Sequence, residues 1–419
     1  MKLVKMSLVA AMVMGASAFA IDNVKVDGDA KLYYGTNNVG TAKLFNNGAN
    51  SFADTALRLG VTGDLMKGVS FGVTGYAVST LGLENNLVGN TWTNAHSGAG
   101  ANVGTNGWIG EMWMAGTLGK TTAKVGRMSL DTPLAFSETW SVVPNTFEAA
   151  VLINQDIPDT TLIGAWVGSS NGADVAHPGA APVADKDNML RDNAMFGTFA
   201  SHGAYAAAVV NNSLKFLTAQ AWYYNVVNVA DAYWLQADWD CLLVKNVKVG
   251  VQYADMSPKN LGTTLAGTTH DSSAYAAKVG YEGVKNLKVS VAYSSTDKNG
   301  GLAVQNVATG NGGSGQSKLY TEAFWNYGYV GAPGAKSYNL TAEYNAGIAQ
   351  FGLYYTDASV KAGTATVSSG MTEAAVTASK DFGPLNATLA YFSTNPDTAN
   401  TLNAGKRYDS ALAMFKVKF

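Results

Sequence analysis

Apolar and polar residues alternate with period two through most of this chain, in segments of roughly ten residues separated by clusters of Gly, Asn, Asp and Ser. The last segment, residues 408–419, places Ala411, Ala413, Phe415, Val417 and Phe419 on one face. Successive side chains of a strand point to opposite faces, so this pattern describes a strand with one apolar side and one polar side. Such a strand can lie between lipid and water, or close a soluble sandwich. The same alternation predicts strands near residues 23–34, 54–64, 69–80, 107–118, 121–128, 148–155, 160–169, 203–211, 215–226, 231–241, 247–256, 272–282, 287–296, 336–345, 348–358, 371–381, 385–394 and 407–419. That makes an all-β chain of eighteen strands, with sixteen as the alternative count.

Short and long links take turns between these segments. The short ones, 65–68, 119–120, 156–159, 211–213, 242–246, 283–286, 346–347 and 382–384, are rich in turn formers. The longer ones include 81–106, 170–202, 257–271 and 297–335 and carry Asn, Gly, Thr and Ala. Short turns on one side and long loops on the other are the rhythm of a transmembrane antiparallel β-barrel, and an even strand count returns both termini to the side of the short turns. An internal echo fits the scheme: Val244-Lys-Asn-Val-Lys-Val-Gly-Val-Gln-Tyr253 matches Val284-Lys-Asn-Leu-Lys-Val-Ser-Val-Ala-Tyr293. Each reads as a Lys-Asn turn and then a strand, with Lys248 and Lys288 starting the inward series and a tyrosine at the upper rim.

The N-terminus strengthens the membrane reading. Lys2 and Lys5, the apolar run 8–14 and the small-residue site Ala18-Phe-Ala20 form a secretory signal over 1–20, leaving 21–419 as one exported domain. Beyond it, no apolar run approaches the roughly 20 residues a membrane helix needs, so a mature chain in a membrane must be a closed barrel. Charged residues make up 14% of the chain, against roughly 25% in soluble domains, while Gly (46), Tyr (20) and Trp (9) are abundant. An apolar outer face with aromatic girdles accounts for that composition. The lone Cys241 forms no internal disulfide and falls in phase with Tyr233, Leu235, Ala237 and Trp239, as a small outward residue. Without Lys2 and Lys5, 26 basic residues face 30 acidic ones, a net charge of −4. This excludes the basic balance of a nucleic-acid binder and suggests a weak preference for cations.

One link is unlike a surface loop. Residues 127–159 contain Pro133 and Pro144 with Leu134, Phe136, Trp140 and Phe147, beside the charges Arg127, Asp131, Glu138 and Glu148. Apolar groups of that size call for burial, so the segment is expected to fold into the barrel as the third outer loop and narrow it, with those charges facing the passage. A capping or subunit-contact loop is the alternative. On the wall, Arg58, Lys124 and Glu111 alternate out of phase with apolar neighbours and are further constriction candidates, and Asp238 and Glu343 also fall on inward faces.

The stretch Gly126-Arg127, Asp131-Thr-Pro133, Pro144-Asn-Thr-Phe-Glu-Ala149 and Asp159-Thr-Thr-Leu162, with the signal Met-Lys-Leu-Val-Lys and the terminal Phe419, resembles the campylobacter-type major outer membrane porins, a family similar in architecture to the eighteen-stranded OprD-like channels. The resemblance implies an eighteen-stranded barrel in the bacterial outer membrane, in contact with its lipid. It further implies a homotrimer, an inward third loop, and passive diffusion of ions and small hydrophilic solutes. It also implies that calcium can sit in the pore, for which Asp185, Asp187 and Asp192 are the only candidates here; no EF-hand spacing is present. No basic ladder like that of OprD-like carboxylate channels is visible along the chain.

Other chemistry finds little footing. The histidines His96, His177, His202 and His270 fall in or beside long links without metal spacing, and no nucleophile elbow, phosphate loop or dinucleotide fingerprint occurs. Ser201 and His202 would point to opposite faces of a strand. The sequence therefore predicts no enzyme and no cofactor. It predicts a weakly cation-preferring diffusion porin, with a structural or adhesive barrel acting through loops 81–106, 170–202 and 297–335 as the alternative.

Overall fold

The structure is a computed structural model that describes residues 21–46, 48, 50–82, 91–92, 99–100, 105–171, 196–198, 203–309 and 315–419. The export signal expected at 1–20 lies outside the described residues. Eighteen long antiparallel strands form the wall. The first six are β1 (Asp22–Asn37), β2 (Ser51–Met66), β3 (Val69–Ser79), β4 (Thr105–Leu118), β5 (Thr121–Met128) and β6 (Phe147–Asn154). Then come β7 (Thr160–Ser170), β8 (Ala204–Asn211), β9 (Leu217–Val226), β10 (Ala230–Asp240), β11 (Val247–Pro258) and β12 (Ser272–Val284). The last six are β13 (Leu287–Thr296), β14 (Ala335–Asn345), β15 (Gln350–Val360), β16 (Met371–Phe382), β17 (Leu385–Pro396) and β18 (Tyr408–Lys418). Each pairs with its sequence neighbours, and β1 pairs with β18 from Asp29↔Lys418 to Asn37↔Ser410, closing the barrel. Closure leaves no free edge, so the main-chain polar groups of the wall are satisfied within it. Among the described residues no helix is long and apolar enough to cross a membrane, which says nothing of strands.

The closing seam has a specific lock. The Gly28 N–H donates to the Phe419 carbonyl and the Phe419 N–H to the Gly28 carbonyl, each at 3.0 Å. The Phe419 ring lies over Gly28 so closely that an added Cβ would sit 2.4 Å from it. The two echoed turns also share geometry: Asn246 and Asn286 both have φ 63°, a left-handed position that asparagine tolerates better than most residues.

The alternation sorts the wall into two faces. Outward, Leu57, Val125, Leu235, Val251, Leu340, Leu353, Val376 and Leu389 form an exposed apolar belt. Above it runs a tyrosine ladder through Tyr223, Tyr233, Tyr253, Tyr275, Tyr293 and Tyr338, with ring centroids 5.2 Å apart for Tyr223–Tyr233 and 4.9 Å for Tyr293–Tyr338. The two echoed tyrosines, Tyr253 and Tyr293, both belong to it. A wall of eighteen strands encloses more space than its own side chains fill. Here the buried core lies inside that space, where two links fold in from the loop end. One is residues 129–146 between β5 and β6, as expected. The other is the 297–334 link between β13 and β14, which the sequence reading assigned to the outer surface. It turns inward because its own apolar groups, Val304, Leu319, Ala323 and Val330, are buried against the wall and the first loop.

Candidate functional site: a narrowed lumen

The first loop is shaped locally before it is packed. Thr132 Oγ1 donates to the Ala135 carbonyl at 2.8 Å and accepts from the Ala135 N–H at 3.1 Å, and an isolated antiparallel bridge joins Asp131 to Phe136. Pro133 fixes the backbone inside this turn. The loop then lays Val142 and Val143 against Tyr33, Tyr76 and Val78 of β1 and β3, while Lys31 Nζ donates to the Ser141 carbonyl at 3.1 Å.

The second loop is held by other strands of the wall. Gln252 of β11 donates to the Lys318 carbonyl (2.9 Å) and accepts from the Tyr320 N–H (3.0 Å), and Tyr320 OH donates to Asp238 Oδ1 at 2.6 Å. Glu373 of β16 accepts from the N–H groups of Trp325 and Asn326 and from the Asn326 side chain.

Where the loops meet, Asn306 is fully buried. Its Nδ2 donates to the Phe136 carbonyl (2.8 Å) and to Glu138 Oε1 (3.0 Å), and its Oδ1 accepts from the Phe136 N–H (3.1 Å). Glu138 also accepts from Thr309 Oγ1 and from Trp140 Nε1, and the Val307 N–H donates to the Leu134 carbonyl. Trp140 and Trp325 meet edge to face, with centroids 5.4 Å apart. The two loops thus form one body inside the barrel.

Charged side chains line the lumen around that body. Lys318 of the second loop pairs with Asp131 of the first at 2.7 Å, and the Asp131 side chain is 84% exposed. On the wall, Arg58 binds Asp29 through Nε at 2.8 Å and also binds Asp27, while Lys416 of β18 approaches Asp29 at 3.7 Å. Lys31 lies directly across from Lys416 in the β1–β18 register. Glu111 accepts from Ser129 Oγ at 2.6 Å, and the Lys124 amine sits 4.0 Å over the Trp113 ring. Asp238 and Glu343 face inward, bound to Tyr320 and Tyr354.

Three of the candidate residues are placed differently from the sequence reading. Arg127 and Glu148 form an ion pair at 2.9 Å, but on the outward side of the wall. They are register partners one position from Met128 and Phe147, which are buried inward, and Arg127 also pairs with Met112, which is exposed outward. The loop therefore begins one residue later than its charges suggested. Glu138 is inside the lumen but only 1% exposed, so it holds the two loops together and faces no solute. Asp131, Arg58, Lys124 and Glu111 face the lumen. Asp185, Asp187 and Asp192 lie outside the described residues, and among the described residues no three His, Cys, Asp or Glu side chains group as a metal site.

Sequence reasoning missed Lys31, Lys318, Lys416, Glu322 and Glu373. The second loop carried the same signal as the first, large apolar groups (Phe324, Trp325, Tyr327) in a long link, and could have been found by it. Glu322 accepts from Ser317 Oγ at 2.7 Å and from the Ser317 N–H. Loss of hydration holds its carboxyl well above the usual range; the Ser317 donors oppose this, and the charges of Glu138 and Glu373 add to it.

These features define the class, a closed eighteen-stranded antiparallel β-barrel narrowed by inward loops, and comparison with solved structures agrees. The chain is similar to Pseudomonas aeruginosa OccK8 (OprE), with a TM-score of 0.72 at 14% identity over 95% of this chain and 98% of that one. It is also similar to OpdK with vanillate from the same organism (TM-score 0.72, 12% identity, 95% and 98% covered) and to OccK2 (OpdF) in complex with glucuronate (0.69, 13%, 95% and 98%). No protein-family profile and no curated protein matches the chain. At these identities the likeness establishes the fold, and the OprD-like architecture implied by the resemblance holds.

Proposed function

We propose that this chain is an outer-membrane porin of the campylobacter major porin type, a water-filled channel for passive diffusion of ions and small hydrophilic solutes. The observation that carries this reading is the loop body locked across the inside of a closed barrel, with the water-exposed Asp131–Lys318 pair beside it and the half-buried Arg58 and Lys416 gathered around the buried Asp29 on the wall. A barrel that served only as scaffold would have no use for charges of both signs facing its lumen beside an inward loop body. Their near balance supports a weak preference, and the net charge of −4 gives it a cationic sign. The adhesive alternative loses one of its three loops, since the 297–334 link is folded inside.

A second reading, uptake of small carboxylates, is favoured by Lys31, Arg58 and Lys416 converging on one wall and by the vanillate and glucuronate in two neighbours. Conductance of the refolded chain in a planar bilayer under a salt gradient tests the proposal. Stepwise openings with a cation-leaning reversal potential are expected, in threes if the implied trimer forms. Addition of glucuronate should block the current only on the second reading. A folded, inserted barrel that passes no current refutes both.

A further inference from the structure

The outer wall carries chemistry that the lumen does not use. β13 ends at Thr296, β14 begins at Ala335 and β15 ends at Val360, so three strand ends stand side by side at the loop rim. Main-chain hydrogen bonds tie the segments beyond them. The Gly334 N–H donates to the Asp297 carbonyl (2.9 Å), the Lys361 N–H to the Gly334 carbonyl (3.0 Å) and the Gly363 N–H to the Lys298 carbonyl (2.6 Å). Gly334 has φ 73°, and a Cβ there would lie 2.3 Å from the Lys361 carbonyl oxygen, so this close approach requires glycine.

The result is a cavity of about 430 Å³ lined by Lys298, Lys336 and Lys361, with the hydroxyls of Ser359 and Thr364 and no acidic side chain in its lining. All three lysines are exposed, and none of their amines enters a salt bridge among the described residues. The nearest acids are Asp297, whose Oδ1 accepts from the Asn299 N–H, and Asp357, which lies lower, at the level of Tyr338. Lys336 shares its face with Tyr338 and Leu340, both outward and exposed. Two residues of strand lift it roughly 7 Å along the chain from that tyrosine. Tyrosines of such a belt sit at the membrane–water boundary, so the amines stand at headgroup height.

We propose that this cavity binds the phosphate groups of a phosphorylated glycolipid in the outer leaflet. The proposal rests on the outer-membrane reading but not on conduction. Three ammonium groups fixed around one space oppose each other unless an anion lies between them, and a phosphate ester answers with charge and several acceptor oxygens. Acyl chains of the same molecule would descend along the apolar belt below Tyr338.

The test uses the full mature chain in non-ionic detergent, with lipid A adducts counted by native mass spectrometry. Wild-type protein should retain phosphorylated lipid A and release the dephosphorylated form. The triple variant Lys298→Gln, Lys336→Gln, Lys361→Gln should bind it roughly 100-fold more weakly, given what each lysine contributes near an anionic surface. The variant Lys67→Gln, Lys245→Gln, Lys285→Gln, which removes equal charge at the short turns, should bind as wild type does. If the triple variant fails to fold, Lys336→Gln alone, which keeps its backbone pairs, should weaken binding roughly fivefold. Equal binding by the cavity variants, equal loss in the turn variant, or full displacement by millimolar inorganic phosphate would each overturn the proposal, the last by showing a free-anion site. Single-channel conductance recorded in parallel reports the porin reading separately.

Discussion

Replacing Asn306 with alanine tests the locked loop body most directly. The side chain is fully buried and bridges the loops through the Phe136 carbonyl, the Phe136 N–H and Glu138 Oε1. Between the loops alanine removes one hydrogen bond to a carboxylate, worth about 1.5–3 kcal/mol, and two neutral ones of about 1 kcal/mol each; the bond from the Ala308 N–H, within the second loop, goes as well. The Phe136 N–H loses its side-chain partner in a dry place, while the Phe136 carbonyl keeps Asn145 Nδ2 and Glu138 keeps Thr309 and Trp140. Loop docking should weaken by about 3–5 kcal/mol, roughly a hundredfold to a thousandfold or more in its equilibrium. The wall does not depend on this contact, so the barrel should still fold and insert. In single-channel recordings the variant should show a larger mean conductance and new slow flicker as residues 129–146 leave the lumen, against steady openings for wild type. A variant with unchanged conductance and noise would refute the claim that these loops set the channel's width.

Two further predictions concern charge. Asp131→Asn should move the reversal potential toward anions and Lys318→Gln toward cations; a unit charge roughly 7 Å from a passing ion in water changes the permeability ratio about threefold, at low salt. Reversal potentials unmoved in both variants would remove this pair from the constriction. Glu322 should make loop docking depend on pH. Its carboxyl is held well above the ordinary glutamate value of about 4.5, so the folded state binds a proton that the undocked loop releases. Docking is therefore fully supported below about 4.5 and weakens as pH rises from there through the raised value. Hydrogen exchange across residues 315–334 should accelerate with pH beyond its intrinsic rate in wild type and lose that excess in Glu322→Gln, where Glu138 and Glu373 are the remaining acids facing the site. An excess that persists in the variant would assign the effect to those two.

The sequence by itself determined the wall. Strand existence and facing follow from a period-two pattern that each segment carries locally, and the turn at Asn286 is readable because Lys-Asn repeats the one at Asn246. The first inward loop was readable too, since Phe136 and Trp140 cannot be left in water at small cost. Which charges face the passage was not. Arg127 and Glu148 belong to paired strands, and their side was decided by where β5 ends and by the register that sets Arg127 opposite Met112 and Met128 opposite Phe147. Glu138 sits among the constriction charges in sequence, but Asn306 and Thr309, 168 and 171 residues away, turn it into a buried joint. Lys31, Arg58 and Lys416 form one cluster only because the last strand pairs with the first. Alternation is a property of neighbouring residues, whereas register, closure and the meeting of two loops join distant parts of the chain. Only the tertiary structure could decide them.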